Sequence, residues 1–108
     1  MNPKAATLIR SVVTGLMRRI EAQLPREHKE LGELIDAVIN GDVETVEKIL
    51  SNLDAPENVR EFMLNSARLI KIVNEGRMNP EEAIVEVLSM LGLDTLITDV
   101  LLSKLARR

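Results

Sequence analysis

The sequence predicts an all-α protein, a compact bundle of about six short helices, and three observations predict it. Apolar residues make up 45 % of the chain, yet Phe62 is its only aromatic residue. A core drawn from Leu, Ile, Val, Ala and five Met favours helices over strands, which lean on β-branched and aromatic side chains together. Apolar positions recur at helical spacing. Glycines, prolines and capping residues cut that pattern into six segments with short joints. A length of 108 residues suits one domain, residues 1–108, around one core.

Each segment has its own start and stop signals. Asn2-Pro3, a cap followed by a first-turn proline, opens a helix that runs to about Leu24, where Pro25 ends it. Residues 1–20 hold Arg, Ser and Thr on an amphipathic pattern without an acid, as transit peptides do, and we read them as part of the fold. The second helix is expected from about Arg26 to Asn40. Gly41 supplies the left-handed residue that closes it, and Asp42 caps the third helix, with Val43, Val46, Ile49, Leu50 and Leu53 at helical spacing.

Asp54, with Glu57 three residues on, reads as the capping box of a fourth helix that reaches Glu75 before Gly76. Val59, Phe62, Met63, Ser66, Ile70 and Val73 form its stripe, and Leu64 and Ile72 fall outside it. Apolar residues beyond one stripe predict neighbours on more than one side. Asn79-Pro80-Glu81-Glu82 is the clearest start signal in the chain, joining a cap, a first-turn proline and acids at the positive end of the helix dipole. That fifth helix is expected to end at Gly92, and Asp94 to cap the sixth.

The middle of the chain reads as two successive helical hairpins, flanked by the first and last helices. Leu34, Ile35, Val38 and Gly41 match Leu69, Ile70, Val73 and Gly76, and Leu50, Ser51 and Leu53 match Leu88, Ser89 and Leu91. Two readings fit the pattern: an internal repeat of residues 30–53 in residues 65–91, each copy burying the other's apolar face, or the apolar spacing and closing glycine that any two helical hairpins share. NGDVETVEKIL, residues 40–50, resembles the start of the helical part of an ankyrin repeat. The Thr-Pro-Leu-His turn of that family is absent, and two units fall short of the roughly three a stacked solenoid needs, so no family is assigned.

Little in the sequence supports chemistry. With no cysteine, disulfides, thiolate metal sites and thiol catalysis are excluded, and a reducing cytoplasm suits the chain. His28 is the only histidine, and no Glu-x-x-His pair stands ready for a carboxylate-bridged metal centre. No serine lies in a nucleophile elbow, and Ser66, on the apolar stripe, is expected to bond back to the preceding turn. Glu30, Glu33 and Asp36 on the second helix, and Glu82 and Glu86 on the fifth, read as solvated faces. The expectation is a non-enzymatic protein with no cofactor and no metal. No stretch free of charge approaches the ~18 residues of a membrane span.

Charge is distributed unevenly. Residues 1–29 carry a net +4, residues 30–66 a net −7, and the remainder balances, giving −3 overall. Lys4, Arg10, Arg18, Arg19, Arg26 and Lys29 could grip phosphates if they share a face, which would make the chain a nucleic-acid-associated regulator or accessory subunit. The acidic total and scarcity of aromatic rings weigh against that alternative.

Apolar excess at the C-terminal end carries the favoured expectation. The sixth helix spreads Leu93, Leu96, Ile97, Val100, Leu101, Leu102 and Leu105 over more than half its surface, and only Glu82, Glu86 and Ser89 form a clearly polar strip on the fifth. Either the fifth helix is central in the bundle, or part of this surface is covered by another chain. On the second reading the protein is a cytoplasmic interaction module or adaptor. It would bury Leu96, Val100, Leu101 and Leu105 against a protein partner or a second copy.

Overall fold

The computed structural model describes residues 3–24, 29–77 and 79–106, which form six helices: α1 Pro3–Ala22, α2 Lys29–Asn40, α3 Val43–Asn52, α4 Glu57–Asn74, α5 Pro80–Met90 and α6 Leu93–Ala106. The described residues contain no strand, as the composition predicts. The expected starts at Asn2 and Arg26, and the stop at Pro25, lie outside the described residues.

Three helices close in the same way. Gly41 donates its N–H to the carbonyl of Val38 at 3.0 Å, and Asp42 donates to Ala37 at 2.9 Å. Gly76 and Arg77 repeat this with Val73 and Ile72, and Asp54 and Ala55 with Ser51 and Leu50. Each is a Schellman closure, in which a residue at positive φ turns the chain so that two orphan carbonyls find donors. Gly41, Gly76 and Asp54 supply that residue, at φ +71°, +70° and +51°.

This corrects the role of Asp54. It closes α3 instead of capping α4, whose N-cap is Pro56 with no side-chain cap. A short polar side chain tolerates the left-handed region better than most, so Asp54 serves where the other two turns use glycine. Asp94 departs similarly: α6 begins at Leu93, which puts Asp94 in its first turn. The other caps stand as expected. Asp42 accepts the N–H of Thr45 at 3.3 Å, and Asn79 that of Glu81 at 2.8 Å.

Packing is centred on α1 and α4. Helix α4 packs against α1, α2, α3 and α6, which explains why Leu64 is buried outside the main stripe and Ile72 partly so. Ser66, also buried, donates its hydroxyl to the Phe62 carbonyl at 2.7 Å, the bond to the preceding turn that its position predicted. Helix α1 packs against α2, α4, α5 and α6 through Ile9, Val13, Leu16, Met17 and Ile20, all buried.

The two hairpins of the sequence pattern are not packed alike. Helix α3 lies against both α2 and α4, whereas α5 takes α1 as its main neighbour. Gly41 is buried against α4, while open space surrounds Gly76. The matching glycines therefore share a backbone conformation and differ in surroundings.

A candidate protein-docking surface

The aliphatic excess of the C-terminal helices is only partly absorbed by the core. On α5 the buried row is Ala83, Val87 and Met90, at spacings of four and three that keep them on one side of a helix. Val85, Leu88 and Leu91 form a second row that meets solvent, 65 %, 60 % and 51 % exposed. Helix α5 is therefore peripheral, and the alternative that puts it at the centre of the bundle is overturned. On α6, Ile97, Thr98 and Leu101 face inward, and Leu93, Leu96 and Leu102 remain exposed.

The four residues expected to meet a partner differ in exposure. Leu96 is 50 % exposed, but Leu101 is 3 % exposed and belongs to the core. Val100 is half-buried and packed on that core, and the side chain of Leu105 lies outside the described residues. The reason is geometric: Ile97 and Leu101, one turn apart, set the inward face of α6 and turn Leu96 outward.

Between α4 and the α5–α6 corner runs a groove of about 220 Å³. Its apolar lining is Phe62 from α4, Met90 from α5, and Leu93, Leu96 and Ile97 from α6. Asn58, Glu61 and Asn65 edge it along α4, and Glu86 and Ser89 along α5. Two residues of the polar strip of α5, Glu86 and Ser89, thus form one wall of this groove. Phe62, Glu61 and Met90 were not among the expected site residues, because a groove between helices distant in sequence leaves no local signal.

The basic residues of the alternative reading differ in exposure and in partners. Lys4, Arg18, Arg19 and Lys29 are exposed and Arg10 is partly buried, while Arg26 lies outside the described residues. Arg10 donates to Asn74 Oδ1 at 3.2 Å, joining α1 to the end of α4. Arg18 Nη1 pairs with Glu21 Oε1 at 2.8 Å and Asp36 Oδ1 at 3.4 Å. The hydrogen bond to Glu21 is the main cause that raises the Arg18 pKa above its ordinary value. Two acids therefore neutralise part of this basic set.

Among the described residues no group of three or more His, Asp or Glu is placed to hold a metal, and no helix is long and apolar enough to cross a membrane. No family model, curated protein or solved structure matches the chain.

Proposed function

We propose that the chain is a non-enzymatic interaction module, acting in the cytoplasm, that buries the aliphatic surface of α5 and α6 against another polypeptide, either a partner or a second copy. The observation that carries this reading is the exposure of Val85, Leu88, Leu91, Leu93, Leu96 and Leu102 on two consecutive helices and the turn between them. Single exposed leucines are ordinary on protein surfaces, but a concentration of them marks an interaction site. The acidic middle of the chain would then steer approach and orientation more than affinity.

Site-specific photo-cross-linking tests it. A benzophenone side chain is placed at Leu88, at Leu96 and, as a control, at Glu44 on α3, and the full chain is irradiated in the cells that make it. Discrete adducts at the first two positions and none at the third are expected, with mass spectrometry telling a second copy from a partner. Adducts equally abundant at all three positions, or at none, would sink the reading.

A further inference from the structure

The groove between α4 and the α5–α6 corner joins an apolar floor to charge of one sign. Glu61 stands on one wall and Glu86 on the other, and among the described residues no Lys or Arg lines the groove and neither glutamate has an ion-pair partner. Between them Phe62, Met90 and Ile97 form an apolar floor, with Leu93 and Leu96 at its exposed rim.

Size and charge together restrict the occupant. At about 220 Å³ the groove is smaller than the ~300–1,000 Å³ of sites that enclose small molecules. It suits apolar anchor side chains projecting from a helix, the arrangement by which grooves between helices take amphipathic partners. A second copy is disfavoured here. Two copies meeting groove to groove about a twofold axis would bring the same patch of each together, setting Glu61 and Glu86 against their own counterparts. A helix carrying Lys or Arg beside its apolar row would instead meet both carboxylates with opposite charge.

Resting on the reading of α5–α6 as a docking surface, we propose that this groove binds a basic amphipathic helix of a partner protein. Apolar side chains one turn apart on that helix seat over Phe62, Met90 and Ile97 beside Leu96. Its flanking Lys or Arg residues pair with Glu61 and Glu86 across the groove. The apolar anchors supply affinity, and the two carboxylates supply orientation and selection against acidic helices.

The test selects from a displayed library of helical 16-residue peptides with fixed apolar positions and randomised flanks, against the full chain. Peptides enriched in Lys and Arg are expected, with amide-exchange protection falling on the Asn58–Asn65 stretch of α4 and on 86–97. Exposed ion pairs contribute little each, so the double variant Glu61→Gln/Glu86→Gln should weaken the selected peptides roughly two- to thirtyfold at low ionic strength, and less as salt is raised. The reversed variant Glu61→Lys/Glu86→Lys should select acidic peptides.

Neutral or acidic winners against the native chain, protection elsewhere, or no enrichment at all would each overturn the proposal. So would a dimer in sedimentation that Leu96→Ser dissociates, since a second copy would then cover the groove. The cross-links at Leu88 and Leu96 report docking whatever the partner's charge. They separate failure of the basic-helix assignment from failure of the docking reading itself.

Discussion

Gly41 lies so close to Lys71 that a Cβ added to the glycine would stand 3.0 Å from the Lys71 backbone nitrogen and 3.2 Å from its Cα. Backbone cannot yield as a flexible side-chain tip can, and Gly41 also sits at φ +71°. Gly41→Ala therefore combines left-handed strain of about 1–2 kcal/mol with a packing cost of about 1–3 kcal/mol. Gly76→Ala meets open space and incurs the strain alone. Urea unfolding should show the Gly41 variant losing clearly more stability, and equal losses would contradict the close approach of α2's end to α4.

Asp54 offers a second test of the backbone. A β-branched residue at its φ of +51° is strained, so Asp54→Val should cost about 1–2 kcal/mol, while Asp54→Asn, which tolerates the region, should stay within about 0.5 kcal/mol. Asp54→Gly relieves the strain at this φ and should hold or raise stability, whereas at a helix cap it would remove the side-chain acceptor and lower it. Chemical denaturation of the three variants distinguishes a closure from a cap.

The Asp42 carboxylate has its pKa lowered, first by the hydrogen bond from the Thr45 hydroxyl at 2.6 Å and then by the Thr45 backbone N–H. The unfolded chain consequently holds this proton at pH values where the folded chain has released it, so stability rises with pH there. The contribution is complete above the ordinary carboxylate pKa of roughly 3.9 and is lost as pH falls through the lower folded value. The stability difference between wild type and Asp42→Asn should narrow across that acid window. A difference that is flat with pH would show that the cap does not depend on charge.

Two leucines of one helix separate core from surface. Leu101→Ala removes a buried side chain and should cost about 2–5 kcal/mol. Leu96→Ala, half exposed on the rim of the groove, should cost under about 1 kcal/mol and leave the thermal midpoint nearly unchanged. A reversal of that order would mean that α6 is rotated from the orientation described.

Local chemistry was legible in the sequence, and tertiary placement was not. Gly41-Asp42 and Asn79-Pro80 act within a few residues of themselves, so their identities suffice to forecast the turns they make. Asp54 misled because Asp-Ala-Pro-Glu satisfies the spacing of a capping box, while the same residue satisfies the backbone demands of the preceding turn, and the turn prevails. Leu96 and Leu101 could not be ranked beforehand because α6 carries apolar residues around its circumference. Periodicity gives an inward face only when the other face is polar. The groove combines Phe62 with Leu96 from helices that the sequence alone does not bring together.

Of the six helices α1 is synthesised first, yet two of those it packs against, α5 and α6, are made after the other four. Until they emerge, part of its apolar surface has no cover, and closing so long a loop delays its burial. The same arrangement bears on the native protein: α5 is held chiefly through α1, so it is expected to lift away while α1–α4 stay packed. Hydrogen exchange should register this as earlier opening of α5 than of α2 or α4. The proposed docking surface would then also be the part of the molecule most easily parted from the rest, and a partner bound there would slow its release.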